Sequence, residues 1–458
     1  MATNACDVVV IGLGPGGEAT ASELAKAGLS VVGVDERLVG GECPYYGCIP
    51  SKMMIRASDV LAEGRRIPGL AGRAEVTPDW GTVAARIRDE ATDDWDDQVA
   101  VDRLVDAGVR FVRGHARLVG PRTVEVSPTG PGTGDTEIFE ASRGVVLNPG
   151  TAPGVPPIDG LADTPYWTNR DVVRIESVPG SLVVIGGGAI GAEIAQALSR
   201  FGVRVTVLEV ADRMLAPEEP EVSRLVADAF AREGIEVLSG VTIDSVAYAD
   251  GRFEVSVGGR TLDAEKLLVA AGRRPNLADL GLDAVGLAPS ARAIEVDDAM
   301  RAGEGLWAIG DVTGKGAFTH MSMYQSAVCV RDILGQEGPG ADYRAVPRVT
   351  FTDPEVGSVG LTESQARDAG LRVRVGLTDL ASSTRGWIAQ APGLVKLVED
   401  ADRGVLVGAT AVGPSGGEML SMLTTAVHAE VPTATLRSMI YAYPTFHRAV
   451  EDALKRLG

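Results

Sequence analysis

Cys43 and Cys48 are separated by four residues in Gly40-Gly-Glu-Cys-Pro-Tyr-Tyr-Gly-Cys-Ile-Pro-Ser-Lys52, the segment of this 458-residue chain whose residue types and spacing best suit chemistry. Two thiols this close can exchange between dithiol and disulfide, or contribute to a metal site. The metal reading is the weaker one. The spacing is not the C-x-x-C most familiar from zinc sites, which also need further thiol or imidazole ligands, and no second cysteine pair or histidine cluster occurs to complete one. No metal site is therefore expected. In a regular helix the two Cα atoms would stand roughly 7.5 Å apart in rise alone, beyond the about 7 Å that a disulfide spans. Pro44 and Gly47 supply non-helical geometry that could bring the two thiols together. A helix starting near Cys48 tolerates Pro50 in its first turn, and its dipole would stabilise a thiolate there. The bland alternative is a pair of packing thiols. The double glycine upstream and Lys52 downstream favour redox chemistry.

A second kind of chemistry is written twice. Gly12-Leu-Gly14-Pro-Gly-Gly17 follows the apolar run Val8–Ile11, and Gly186-Gly-Gly188-Ala-Ile-Gly191 follows Leu182–Ile185. Each glycine cluster then opens a helix, expected over Glu18–Ala27 and Ala192–Arg200. Glycine permits a tight turn and close approach of a pyrophosphate, while the helix N-terminus offers N–H groups and a favourable dipole. Each unit continues into a second strand ending in an acid: Asp35, 23 residues after Gly12, and Glu209, 23 after Gly186. Both acids are placed to accept from a ribose hydroxyl. Glu209 would repel a 2′-phosphate and so favours NADH, while Arg204 and Arg213 leave NADPH as the less favoured alternative. Two dinucleotides in one chain suggest a resident flavin and a visiting nicotinamide.

The elements that must position these groups follow from the same pattern. Two βαβ units about 174 residues apart imply two whole dinucleotide-binding domains rather than a solenoid. The short buried strand Val145–Leu147 and the Pro/Gly-rich stretch after it mark the exit from the first domain, and residues 127–134 read as a hairpin tip. Further strands are expected at Lys266–Ala270 and from Leu306. After Val346, strands at Arg348–Phe351, Val395–Val398 and Val405–Ala411 with later helices read as a separate α+β domain. A net charge of −19 argues against nucleic acid and a polybasic membrane contact. No apolar run approaches the roughly 20 residues of a spanning helix. Four cysteines and a start without a basic leader point to a reducing cytoplasm.

The cysteine segment resembles the redox-active signature of the flavoprotein disulfide reductases, the family of dihydrolipoamide dehydrogenase, glutathione reductase and mercuric reductase. Supporting motifs run through the chain: Ala271-Gly-Arg-Arg-Pro-Asn276, Ala308-Ile-Gly-Asp311, Phe318-Thr-His320 and Phe351-Thr-Asp-Pro-Glu-Val-Gly-Ser-Val-Gly360. The resemblance implies an α/β fold with two Rossmann-like domains, for FAD and NAD(P), and a C-terminal α+β dimerisation domain. The boundaries it implies are 1–155 and 280–345 for the FAD domain, 156–279 for the NAD(P) domain and 346–458 for the interface domain. It implies FAD on Gly12, Gly14, Pro15 and Gly17, with Asp35 on the adenosine ribose. Glu36, Gly41, Ala116, Gly150, Gly272 and Gly310 are further cofactor contacts on this view. Asp311 should meet the ribityl chain, and Phe318, Thr319 and His320 the flavin edge. Gly186, Gly188, Ile190, Gly191 and Glu209 should hold NAD(H) as a dissociable co-substrate. Cys48 would be the thiol facing the flavin, Cys43 the interchange thiol, and Lys52 and Glu193 an ion pair beside flavin and nicotinamide.

One departure bears on the substrate. Where the family carries His-Pro-Thr-x-x-Glu near the C-terminus, this chain has Tyr443-Pro-Thr-Phe-His447-Arg448. A phenol, with a reference pKa of about 10, is a poor base at neutral pH, whereas imidazole at about 6.5 is well matched. Tyr443 is then a substrate-facing hydrogen-bond donor or a packing group. His447 would share its face only if a helix already included Tyr443, and Arg448 would pair with Glu451 or Asp452 or meet an anionic substrate. The expected activity is reduction of a small disulfide, or oxidation of a dithiol, by a homodimer whose Tyr443 segment serves the other chain's Cys43. The alternatives are a reductase of a quinone, dye or metal ion, and a carrier subunit with a vestigial flavin.

Overall fold

The computed structural model describes residues 3–129 and 134–457. The chain packs as two compact units. The first comprises Met1–Pro50, Ala85–Gly154 and Arg273–Asp342; the second comprises Ser51–Ala84, Val155–Gly272 and Tyr343–Gly458.

The first unit is built on strands Thr3–Ile11, Val31–Asp35, Arg110–Gly120, Glu137–Leu147 and Leu306–Ala308, joined in parallel with Thr3–Ile11 between Val31–Asp35 and Glu137–Leu147. Val8, Val9 and Val10 are all fully buried. That is why this strand lacks polar alternation: a parallel strand covered on both faces has no wet side. The strand over Val145–Leu147 starts eight residues earlier than expected. Its first half carries an antiparallel meander through Thr123–Pro128, whose pairing runs from Thr123↔Glu140 to Val126↔Glu137. Residues 130–133 of the anticipated hairpin tip lie outside the described residues. Helix Pro15–Lys26 packs on helix Thr319–Ile333, where Gly16 permits the contact. A Cβ at Gly16 would fall 2.1 Å from Ser322 Oγ, and one turn on Thr20 and Ser326 hydroxyls meet at 2.7 Å.

The second unit holds three sheets. Lys266–Val269, Ser181–Ile185, Arg204–Glu209 and Glu236–Ser239 form a parallel sheet, and Ile243–Ala249, Arg252–Val257 and Arg260–Ala264 an antiparallel meander. The third sheet is antiparallel, in the order Pro347–Thr350, Glu355–Gly360, Val405–Gly413, Leu394–Asp400 and Val373–Asp379. Helices Gly416–His428 and Arg448–Lys455 contribute to its core. The latter buries Ala449, Val450, Ala453 and Leu454, spaced one turn apart. No described helix is long and apolar enough to cross a membrane.

Candidate active site

The two glycine cradles repeat one geometry. In the first unit Gly12 N–H donates to Val34 O at 2.8 Å. A Cβ on Gly12 would lie 2.2 Å from Asn148 O, and one on Gly17 would lie 2.0 Å from Gly12 O. In the second unit Gly186 N–H donates to Leu208 O at 2.8 Å. The corresponding overlaps are 2.4 Å to Ala270 O and 1.9 Å to Gly186 O. The first glycine therefore lies on the carbonyl ending the neighbouring strand, and the third lies on the carbonyl of the first. Only hydrogen fits at either contact. Gly12 and Gly186 also need positive φ, +87° and +112°.

The strand-end acids brace these loops. Asp35 accepts from Leu13 N–H at 2.7 Å and Arg37 N–H at 2.8 Å. Glu209 accepts from Gly187 N–H at 2.6 Å and Ala211 N–H at 2.7 Å. Each carboxylate oxygen thus takes one backbone donor and retains a lone pair. Burial pushes the Asp35 carboxyl upward, while the donors from Leu13 and Arg37 oppose that shift.

The cysteine segment is docked on the first cradle. Gly40 N–H donates to Leu13 O at 2.7 Å, and a Cβ on Gly41 would fall 2.9 Å from Gly14 Cα. Val39 N–H donates to Asp97 Oδ2 at 2.6 Å, and Trp95 Nε1 to Tyr45 O at 3.0 Å. Cys43 sits in the short helix Glu42–Tyr45, the chain breaks at Gly47, and Cys48 opens helix Cys48–Leu70. Gly47 has the role its type suggested. A Cβ there would lie 3.1 Å from Glu42 O and 3.7 Å from Cys43 Cα, so the backbone folds back on itself between the thiols. Both thiols are half-buried, and Thr319 Oγ1 stands 3.4 Å from Cys48 Sγ. Burial raises the Cys6 thiol to about 11 and raises Cys329 as well, leaving both as packing residues.

Asp311 and Gly310 lie in the same unit. Thr151 Oγ1 donates to Asp311 Oδ2 at 2.6 Å, and Arg273 Nε donates to Thr151 Oγ1 at 2.6 Å. Arg273 also lies 3.4 Å from the Glu42 carboxylate, next to Cys43 in sequence. Gly310 is held by its N–H to Gln325 Oε1 at 2.6 Å. Phe318 and His320 stack at 5.1 Å between ring centroids. Glu36 reaches the exposed His115 at 3.5 Å, beside buried Ala116. Gly150 and Gly272 turn through positive φ with open space around them.

In the second unit Lys52 Nζ and Glu193 Oε2 meet at 2.8 Å. Glu193 is buried, and its other oxygen accepts from Phe351 N–H at 2.8 Å. The Lys52 ammonium stands 4.6 Å from the centroid of the Phe351 ring. Gln196 accepts from Asp353 N–H at 2.7 Å, and Arg200 donates to Asp353 at 2.7 Å. One face of helix Ala189–Arg200 therefore grips residues 351–353 and holds the ion pair. A Glu193→Gln variant keeps an acceptor for Phe351 but leaves the ammonium without its counter-ion. It should lose about 1–3 kcal/mol, read as a lower urea midpoint at constant slope.

The C-terminal segment is exposed. Tyr443 is 65% accessible, and its hydroxyl donates to Thr384 Oγ1 at 3.2 Å. The condition for His447 to share its face fails, because the helix begins only at Arg448. His447 instead contacts Met422 and packs against Tyr441 with ring centroids 5.0 Å apart and tilted by 39°, and desolvation lowers its pKa. Arg448 pairs with Glu451 at 3.0 Å and lies over the Tyr443 ring.

Both cradles fit a pyrophosphate. Helices Pro15–Lys26 and Ala189–Arg200 carry no side-chain cap, so their first N–H groups remain for an anion. A Cβ at Gly188 would meet nothing within 4 Å, and one at Gly14 only Asn148 Nδ2 at 3.5 Å. Among the described residues no group of three His, Cys, Asp or Glu could hold a metal ion. Sequence reasoning did not single out Asn148, buried and donating to Gly12 O at 3.1 Å, and it named Thr319 for the flavin edge without placing its hydroxyl beside Cys48. Asn148 shows only as a polar residue ending an apolar strand.

Residues 6–328 match the family model described as pyridine nucleotide-disulphide oxidoreductase, and residues 346–454 match its dimerisation domain. A mercuric reductase of Acidithiobacillus ferrooxidans is 34% identical over 450 residues, covering 96% of this chain and 80% of that protein. A dihydrolipoyl dehydrogenase of Mycobacterium leprae is 32% identical over 471 residues, covering 98% of each. Among solved structures, the Cu(II) complex of the HOCl-induced flavoprotein disulfide reductase RclA of Escherichia coli has 26% identity and a TM-score of 0.86 over 99% of both chains.

Proposed function

Because the chain belongs to the pyridine nucleotide-disulphide oxidoreductase family, whose members are FAD-dependent, we propose that it is an NADH-linked reductase of a small disulfide acting through Cys43 and Cys48. The observation that carries this reading is the placement of Cys48 at the head of a 23-residue helix with a hydroxyl 3.4 Å from its sulfur. The helix dipole and that hydroxyl favour the thiolate over the thiol. Bound FAD supplies the two-electron exchange between nicotinamide and the thiol pair. The chain's own residues do the rest. The Cys43 thiolate attacks one sulfur of the substrate and releases one thiol. Cys48 then attacks Cys43 sulfur, releasing the second thiol and closing the Cys43–Cys48 disulfide. Over the cycle, NADH, one proton and one disulfide become NAD+ and two thiols. Chemically the cycle runs equally in reverse, on a dithiol.

Gly12, Gly14 and Gly17 cradle the FAD pyrophosphate on this reading, and Gly186, Gly188 and Gly191 that of NADH. The domain division is 1–155 with 280–345, then 156–279 and 346–458. Preference for NADH is supported by Glu209, since a 2′-phosphate would meet its charge, and by Arg213, which donates to Ala216 O at 2.8 Å and is turned toward its own loop. The dimerisation-domain match supports a homodimer, and the composition a cytoplasmic location.

A second reading, reduction of a metal ion or quinone, draws support from Tyr443 standing where the family keeps imidazole. Two similar proteins also bear on it: one is named mercuric reductase, and the other was solved as a Cu(II) complex. Steady-state assays with NADH and NADPH against lipoamide, glutathione-type and mycothiol-type disulfides, a quinone and Cu(II) separate the two. Disulfide turnover with NADH at least tenfold above NADPH is expected. Turnover of only the quinone or the metal overturns the disulfide reading.

A further inference from the structure

Beside Tyr443 the surface is indented by a small, solvent-open pocket lined by Ser383, Thr384, Arg385, Tyr443, Arg448 and Asp452 among others. Two guanidinium groups flank it, and each is steadied by an aromatic ring. Arg385 lies 5.5 Å from the centroid of Phe446, and Arg448 lies 5.4 Å from that of Tyr443. Arg448 is partly neutralised by Glu451, whereas Arg385 is exposed and has no ion-pair partner among the described residues. Asp452, the one carboxylate in the lining, faces Lys455 at 3.9 Å. The remaining polar groups are hydroxyls, which donate to an anion as readily as they accept.

A chain with a net charge of −19 repels anions at long range, so two ring-steadied guanidiniums beside an open phenol are an unusual local feature. Guanidinium forks match the geometry of carboxylate and phosphate. We propose that this pocket binds a carboxylate or phosphate group of the electron acceptor, so that the enzyme selects anionic disulfides. Tyr443 orients that group by hydrogen bonding, and Arg448, standing where the family keeps a carboxylate, supplies a fixed positive charge and no acid–base function. The proposal rests on the disulfide-reductase reading for its substrate, though not for the pocket itself.

The test compares two small disulfides of similar size, dianionic dithiodipropionate and neutral bis-hydroxyethyl disulfide, on the holoenzyme at low ionic strength. The ratio of their kcat/KM values should favour the dianion by about tenfold or more in the native protein. That ratio should fall about tenfold in Arg385→Gln and in Arg448→Gln, and recover in part in Arg448→Lys. Calorimetric titration with inorganic phosphate should show saturable binding that both glutamine variants lose. An unchanged ratio in the double variant overturns the proposal. If neither disulfide is reduced, the functional reading fails while phosphate titration still decides the pocket: binding lost in the variants upholds it, and no binding in the native protein refutes it.

Discussion

Replacing Cys48 by serine should cut NADH-dependent disulfide reduction by about a thousandfold or more, because an alcohol cannot close or open the Cys43–Cys48 bond. Serine is nearly isosteric, and the half-buried site already offers a hydroxyl partner, Thr319 Oγ1, 3.4 Å from the sulfur. The fold and the two cradles should therefore survive, and NADH should still bleach the flavin absorbance. The outcome separates the two acceptor readings. A quinone or metal ion that takes electrons without the thiols would keep its turnover in Cys48→Ser, whereas a disulfide would not. Disulfide turnover at the native rate in this variant would remove the thiol pair from the mechanism.

Gly12→Ala should yield a protein largely devoid of FAD, with at least a tenfold lower ratio of flavin to protein absorbance. The new Cβ would lie 2.2 Å from Asn148 O and 2.6 Å from its carbonyl carbon, both backbone atoms directly after the buried strand end Gly144–Leu147. Neither can move without disturbing the sheet. To this the alanine adds the strain of φ near +87°. Together these should cost on the order of 3–5 kcal/mol. Gly28→Ala is the control. That residue has φ +91° and open space around it, so it carries the strain without the overlap. It should lose only about 1–2 kcal/mol and retain FAD. Equal loss in both variants, seen in thermal unfolding and flavin content, would show that the close contact is not what holds the cradle.

How much could be read beforehand depended on how local each signal was. The cradles and Asp35 and Glu209 are written in short runs of glycine and acid. Their repetition 174 residues apart marks the duplicated units in the sequence itself. Gly47 was legible, with Pro44, as the break that could bring the thiols together, and the backbone does fold back on Cys43 there. Lys52 and Glu193 were paired only through family resemblance, because nothing local to either residue names a partner 141 positions away. Asn148, Thr319, Trp95 and Arg273 act through contacts with distant segments: Gly12, Cys48, Tyr45 and Thr151 respectively. Such contacts leave no periodicity or spacing to find. The strand Glu137–Leu147 was recognised only in its apolar half, since its first half pairs with a partly exposed meander and lacks a continuous apolar run. His447 was legible as conditional: it could share the Tyr443 face only if a helix included Tyr443, and the helix starts after it, leaving the ring packed toward Tyr441 and Met422.

Loop docking explains why the thiols and the first cradle should behave as one piece. Gly40 meets Leu13 and Gly41 meets Gly14 through backbone, and the Asp97 and Trp95 side chains hold Val39 and Tyr45 on either side. The C-terminal segment is different: Tyr443 and Arg385 are exposed and Arg448 is half-buried at the surface, so they can differ between related enzymes without disturbing a core. Substrate choice is expected to lie there, and electron exchange in the docked loop.

The central claim is that the chain stores electrons on its thiols as well as on its flavin. Anaerobic titration of the purified holoenzyme with dithionite tests it most directly. The account predicts uptake of about four electron equivalents per chain, two for each couple, with a long-wavelength absorbance band appearing midway that Cys43→Ser and Cys48→Ser each alter. An end point at about two equivalents, identical in the native protein and both serine variants, would contradict it.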